Sequence, residues 1–171
     1  MKPKVFAIAP LAILTVLLTV SPLSAQEKVA EKSETAVATP KAISARRVEK
    51  IEMTRRDTWI PKDPEKKTGL LVVIQLGPGA FATEEFALTY KIGEEMVRGR
   101  RVDVMEKVVC RGYSVGGGWA ITDEEGKGFK LFTGNPTTDL DFLFEVPKTV
   151  SEVTLLYKGS PTGKPVSVKP E

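Results

Sequence analysis

From about Ser44 onward the chain consists of short β-branched runs that Gly and Pro interrupt, without a sustained helical period. Residues 69–76 (GLLVVIQL) are apolar at successive positions, which is typical of a strand buried on both faces. Residues 77–79 (GPG) end that run. Residues 86–92 (FALTYKI) place their larger apolar side chains at every second position, the period of a half-buried strand. These patterns predict β-structure.

Further runs of the same kind predict additional strands, at residues 102–110, 119–123, 129–133, 140–146 and 153–157. Residues 124–128 (EEGKG) predict a hairpin turn between the second and third of these runs. Residues 48–53 and 166–168 are candidates for edge strands. About seven to nine short strands predict an all-β domain, an antiparallel sandwich or barrel.

The predicted core consists of the large apolar residues that recur within these runs. They are Leu70, Val72, Ile74, Phe86, Leu88, Tyr90, Trp119, Ile121, Phe129, Leu131, Phe142, Phe144, Val146, Val153 and Leu155. The single cysteine, Cys110, ends an apolar run and is interpreted as a small buried hydrophobe. The alternative for an exported chain is an intermolecular disulfide.

Residues 1–25 have the three-part layout of a secretory signal peptide, with a basic start, an uncharged apolar run and small residues before a predicted cut after Ala25. The apolar run is shorter than the roughly 20 residues of a membrane span, and Pro10 interrupts it. Cleavage is therefore favoured over an uncleaved anchor. The remaining protein is predicted to be periplasmic or secreted, without stable membrane insertion.

Residues 26–44 are rich in Glu, Lys, Ala, Thr and Ser and contain no aromatic residue, which predicts a flexible spacer. Residues 45–171 are predicted to form one domain with a single core. Removing the two lysines of the signal peptide lowers the formal net charge from +3 to about +1. That balance argues against a nucleic-acid partner, because such surfaces usually carry a strong basic excess.

The chain contains no histidine and one cysteine, which removes the commonest general base and the usual ligands of zinc and copper. No cofactor is predicted. Residues 112–116 (GYSVG) match the G-x-S-x-G nucleophile elbow, but Ser114 lacks a histidine to activate it. A Ser114–Lys107 pair is the alternative that would permit covalent catalysis. The preferred interpretation is a glycine-rich loop between strands, with no catalytic residue.

Acidic side chains cluster at two places that are weak candidates for Ca²⁺. Asp123 and Glu125 (with Glu124) lie at the predicted turn, and Asp139 and Asp141 lie near a strand start. Their spacing matches no EF-hand loop, so the preferred prediction is solvated carboxylates and no metal.

Arg98, Arg100 and Arg101 form the positive cluster singled out as a possible partner surface. If the strand that is clear at Val102 starts early, Arg98 and Arg100 project to one face and Arg101 to the other. Guanidinium forks two residues apart suit an acidic polymer or an acidic protein patch. The alternative, ordinary edge protection and solubility, is preferred.

Three segments resemble the DUF4352 group of bacterial Ig-like extracytoplasmic domains: residues 119–129 (WAITDEEGKGF), 142–147 (FLFEVP) and 153–157 (VTLLY). The chain departs from that group in having Gly77-Pro78-Gly79 where an Asn-containing turn is typical, and in lacking a lipobox cysteine. The resemblance implies an Ig-like antiparallel β-sandwich, exported behind a flexible spacer. It carries over no catalytic residue.

The sequence therefore predicts an exported, non-enzymatic Ig-like domain that binds a protein or a cell-envelope component. The alternative is a secreted enzyme that uses carboxylates or the Ser–Lys pair. The oligomeric state is left open.

Overall fold

The computed structural model describes residues 39–53, 57–134 and 136–170. The predicted signal peptide, and the predicted spacer up to residue 38, lie outside these residues. The described part of the chain is almost entirely β-structure. Its one helical element is a single 3-10 turn at Thr83–Glu85, and none of its helices is long and apolar enough to cross a bilayer.

The strands follow one another along the chain as β1 (Lys41–Val48), β2 (Ile51–Glu52), β3 (Thr58–Trp59), β4 (Lys67–Leu76), β5 (Gly79–Ala82), β6 (Phe86–Val97), β7 (Arg100–Val109), β8 (Gly112–Val115), β9 (Gly118–Ile121), β10 (Lys130–Thr133), β11 (Thr138–Pro147), β12 (Glu152–Tyr157), β13 (Ser160–Pro161) and β14 (Val166–Lys169).

One continuous sheet runs in the order β7-β6-β12-β14-β1-β4-β11-β8-β9 and folds back on itself as a sandwich. Strand β1 joins the two layers, since it pairs antiparallel with β4 and parallel with β14. The layers β1-β4-β11-β8 and β7-β6-β12-β14 follow the strand order A-B-E-D and C′-C-F-G of Ig-like domains. The predicted all-β sandwich is confirmed.

The main core lies between these two layers. Leu70 and Val72 of β4 stand opposite Phe144 and Phe142 of β11, and all four side chains are buried against β6 and β12. The predicted core residues are buried here, except three that are partly buried: Phe129 packs against this core, and Trp119 and Ile121 pack against a second cluster.

The second cluster covers the outer face of β4 and β11. Leu71 and Leu143 project to that face and pack under Trp59, which the short β2–β3 sheet supplies. This cover explains why residues 69–76 are apolar at successive positions, because β4 is buried on both faces.

Three local predictions are wrong. Strands β9 and β10 do not form a hairpin: β9 pairs with β8, and β10 pairs with β5 in a separate two-stranded sheet. Residues 166–168, predicted as an edge strand, belong to β14, which lies inside the sheet, while residues 48–53 contain the end of β1 and the short β2, which pairs with β3 in a separate two-stranded sheet. Strand β1 also begins at Lys41, inside the predicted spacer, because Ala42 and Ala45 are buried in the main core.

Cys110 lies in the main core, as predicted, and its Sγ donates to the carbonyl oxygen of Gly112 at 3.3 Å. Burial raises the pKa of this thiol to about 12. At pH 8, labelling of Cys110 by a thiol reagent should therefore be at least about a hundredfold slower in the folded protein than in urea.

The same shift makes stability depend on pH. The folded-state pKa exceeds that of an unfolded thiol, so the contribution of Cys110 is complete below about pH 8.5 and is lost as the pH rises from there towards 12. Equal labelling rates in the folded and unfolded protein would contradict the buried position.

Candidate functional site

The feature that stands out from the sandwich is the distal part of the β6–β7 hairpin, residues 91–105, which we call the arm. Strand β12 pairs with β6 only from Phe86 to Thr89, and β7 is the last strand of the described sheet. Beyond Tyr90 the two strands pair only with each other. At about 3.3 Å per residue, the β6 half of the arm extends roughly 20 Å from the sandwich.

The arm ends in a tight turn. Val97 pairs with Arg100, and the two residues between them, Arg98 and Gly99, have positive φ angles of 48° and 78°. Positive φ at both central residues is the type I′ geometry, whose twist suits a two-residue hairpin. Gly99 adopts it without a Cβ penalty.

A β-bulge at Ile92 changes which β6 residues share a face. Lys91 pairs with Met105, and Gly93 pairs with Val104, so Ile92 is the extra residue. Tyr90 points into the core, but beyond the bulge the same face is continued by the odd-numbered residues of β6. The predicted half-buried period therefore ends at Tyr90, and the Ile92 side chain is exposed.

One face of the arm, here called the charged face, carries a network of ion pairs. Lys91 Nζ lies 2.5 Å from Glu94 and 2.7 Å from Asp103, and Arg101 Nε lies 3.5 Å from Glu94. Hydrogen bonds to Asp103 and Glu94 raise the pKa of Lys91 above its ordinary value. These groups largely satisfy one another, which braces the arm and reduces their availability to a partner.

The opposite face, here called the apolar face, carries Val97, Val102 and Val104 in register with the core-facing side of the sandwich, with Glu95 beside Val102 and Arg100 beside Val97. Val97 and Val102 are 42% and 44% exposed. In the described part of the chain, nine large hydrophobic residues are exposed and five of them lie on the arm: Val97 and Val102 on the apolar face, Met96 and Met105 on the charged face, and Ile92 at the bulge. Such clustering marks an interaction surface more often than scattered exposure does.

The base of the arm is fixed by Tyr90, which is buried in the core and stands opposite Glu106. Burial, together with a hydrogen bond to the Glu106 carboxylate, raises the pKa of the Tyr90 hydroxyl. The phenol therefore stays protonated and anchors the arm to the sandwich.

The arginines singled out in the sequence lie at the arm's tip. Arg98 occupies the turn, so the predicted strand alternation does not extend to it, while Arg100 and Arg101 begin β7 and point to opposite faces. Arg101 is engaged by Glu94. Arg98 and Arg100 are the tip residues without an ion-pair partner among the described residues.

Ser114 lies on β8, and the Gly116-Gly117 turn leads into β9 and not into a helix. Its Oγ accepts a hydrogen bond from the backbone N–H of Asp141 at 3.2 Å, which ties β8 to β11. Ser114 and Lys107 line different grooves, so the structure does not bring the Ser–Lys pair together.

The four weak calcium candidates do not converge. Asp123 Oδ1 accepts from the backbone N–H groups of Glu125 and Lys127, and Glu125 pairs with Lys127. Asp139 accepts from the Gln75 amide on β4. Across the residues with described positions, no three or more Cys, Asp or Glu side chains are grouped so as to hold a metal ion.

A groove of about 300 Å³ beside the base of β7 collects cations, but most of them are already paired. Lys62 pairs with Glu124, and Lys67 Nζ lies 3.2 Å from Glu145. Arg111 Nη1 donates to the carbonyl oxygen of Asp123 at 3.2 Å. The groove is a mixed-charge surface and therefore a weaker candidate than the arm.

Comparison with known proteins found no matching family model, no matching curated protein and no matching solved structure. The resemblance to the DUF4352 group therefore stays a prediction, and the site rests on the geometry of the arm. Sequence reasoning found the arginines of the arm but missed its exposed valines and methionines. The two-residue Arg98-Gly99 interval between β-branched runs is the signal that points to this hairpin.

Proposed function

We propose that the protein is an exported, non-enzymatic binding domain that contacts a protein of the cell envelope or the extracellular space through the apolar face of the arm. The observation that carries this proposal is the pair of exposed valines, Val97 and Val102, on one face of a projecting hairpin. The tight turn and the ion pairs hold the two strands of the arm together, which lowers the conformational entropy that binding would cost.

The partner's surface follows from the residues on this face. The partner should present an apolar patch to Val97, Val102 and Val104. It should carry acidic residues at the rim of that patch, opposite Arg98 and Arg100 at the tip. Rim charges mainly accelerate association and make it sensitive to salt, while the valines supply the affinity once the partner covers them. Export of the domain by cleavage after Ala25 is part of the proposal.

The test places a photo-crosslinking amino acid at Val97 in the full chain, expressed in cells that export it. We expect a discrete crosslinked protein from this position, because Val97 lies on the proposed contact face and is 42% exposed near the tip of the arm. The matched control is the same amino acid at Met96, the neighbouring residue, which lies on the charged face. Position 96 should give much weaker crosslinking.

A substitution completes the test. Replacing Val97 by Asp should reduce retention of the crosslinked partner at least about tenfold, since a carboxylate would be buried against apolar surface. Met96→Asp should retain it. Equal crosslinking from both positions, or none from either, would refute binding through the apolar face.

A further inference from the structure

We propose that β7 is also a self-association edge, at which two copies of the chain pair antiparallel about a two-fold axis at Met105. This inference goes beyond the proposed function, because it concerns the edge of β7 and not the apolar face of the arm. It rests on three properties of β7: a free hydrogen-bonding edge, the phase of its backbone groups, and a charge pattern that complements itself.

Strand β7 pairs with β6 along its whole length and is the terminal strand among those described. Its other edge therefore offers a row of N–H and C=O groups to a further strand. The backbone N–H of Cys110 donates to the carbonyl oxygen of Phe86, so at Cys110 the chain is turned towards β6. Since backbone groups alternate along a strand, those of Lys107, Met105 and Asp103 point to the free edge, while Val109 lies against the turn at Gly126.

Because the backbone N–H and C=O of Met105 point to the free edge, a two-fold axis can pass between Met105 and its copy in the second chain. In an antiparallel pair, residues that both point to the shared edge exchange two hydrogen bonds. A two-fold axis at Met105 sets Met105 opposite its copy and Asp103 opposite Lys107 of the second chain, twice by symmetry. It also sets Val102 opposite Val108 of the second chain, on the face that continues the main core.

Neighbouring registers with a long overlap are disfavoured by charge. An axis at Asp103 places that carboxylate opposite itself, and an axis at Glu106 does the same for Glu106. An axis at Val104 places Arg101 opposite Lys107. Like charges directly opposite destabilise a strand pair, and opposite charges stabilise it, so the Met105 register is selected.

Charged residues on an edge strand ordinarily prevent pairing. In β7 the positive and negative residues are placed so that the Met105 register brings opposite charges together across the two strands. Lys107 has no ion-pair partner among the described residues, which leaves it available to Asp103 of the second chain. Asp103 already pairs with Lys91, and accepting a second cation suits a carboxylate with two oxygens.

The first test is disulfide trapping in the full chain. Two Met105→Cys copies would have Cα atoms about 5.5 Å apart at the axis, within the range of a disulfide. Mild oxidation should yield a covalent dimer at least about tenfold faster than for Met96→Cys, an exposed control on the same face of the arm. The native Cys110 is buried in both variants and does not compete.

The second test uses charge reversal to determine which residues of the two β7 strands lie opposite each other. Light scattering should give a dimer for the unmodified protein at about 100 µM. Lys107→Asp should raise the dissociation constant at least about tenfold, because it places two carboxylates opposite each other twice. Adding Asp103→Lys should restore the dimer by reversing the pairs.

A monomer at this concentration, equal trapping of the two cysteine variants, or no restoration by the double reversal would overturn the inference. Its failure is separable from failure of the proposed function, because crosslinking from Val97 on β6 does not require the β7 edge. A monomer that still gives the Val97 crosslink would refute self-association alone.

Discussion

Replacing Phe86 by Ala should lower the free energy of unfolding by about 3–5 kcal/mol. Phe86 is fully buried between the two layers, and its ring centroid lies 4.8 Å from that of Phe142 and 5.3 Å from that of Tyr157. The substitution removes these contacts and leaves a cavity at the centre of the aromatic cluster. Since small domains are stabilised by only about 5–15 kcal/mol, a large part of the total would be lost.

The matched control is Phe132→Ala. Phe132 has the same side chain but is 79% exposed on β10, so its truncation should change stability by less than about 0.5 kcal/mol. Urea denaturation of both variants, followed by circular dichroism, measures the difference. Equal losses for the two substitutions would show that the main core does not lie where the structure places it.

The aromatic cluster also shows how much of the fold the sequence could predict. Residues 86–90 alternate strictly, and β4 is apolar at successive positions, so both were identified as core strands before their partners were known. Such periodicity is a local property that follows from burial on one face or two. This periodicity indicates which side chains are buried, but it does not indicate which strands pair with one another.

Pairing is where sequence reasoning failed, and residues 124–128 are the clearest case. The turn signal there is genuine, since Gly126 has a φ of 81° and Asp123 accepts two backbone N–H groups. A Cβ at Gly126 would lie 3.1 Å from the carbonyl oxygen of Cys110, so the turn packs against the chain leaving β7. Strand β9 pairs with β8 and β10 pairs with β5, and no local pattern contains these long-range pairings.

The candidate site escaped prediction for a related reason. The arginines were visible as a cluster, but the exposure of Val97 and Val102 follows from two facts about pairing: β12 leaves β6 after Thr89, and β7 is an edge strand. The bulge at Ile92 then decides which residues share the apolar face. A strand-forming run predicts burial by default, so an apolar surface built from such a run is hidden from sequence analysis.

Gly69 offers the sharpest test of the second cluster, since it lies within β4 where a side chain would be expected. An added Cβ would meet Trp59 Cζ3 and Val48 Cγ2 at 2.8 Å each, with the Val48 carbonyl oxygen at 3.0 Å. Gly69 is therefore required by the close approach of the Trp59 indole to the β4 backbone. Gly69→Ala should lower the free energy of unfolding by about 1–3 kcal/mol, the usual cost of overpacking.

Gly93→Ala, by contrast, should not lower the free energy of unfolding. Gly93 also lies within a strand, but no atom lies within 4 Å of its added Cβ, and its φ lies outside the left-handed region. Gly93→Ala should therefore be neutral or stabilise by up to about 1 kcal/mol, because it reduces the entropy of the unfolded chain.

Tryptophan emission should shift to longer wavelength in Gly69→Ala alone, as Trp59 is lifted from β4 towards water. An unshifted spectrum together with unchanged stability in Gly69→Ala would mean that Trp59 does not pack on β4. Burial of Leu71 and Leu143 under Trp59 would then no longer explain why β4 is apolar on both faces.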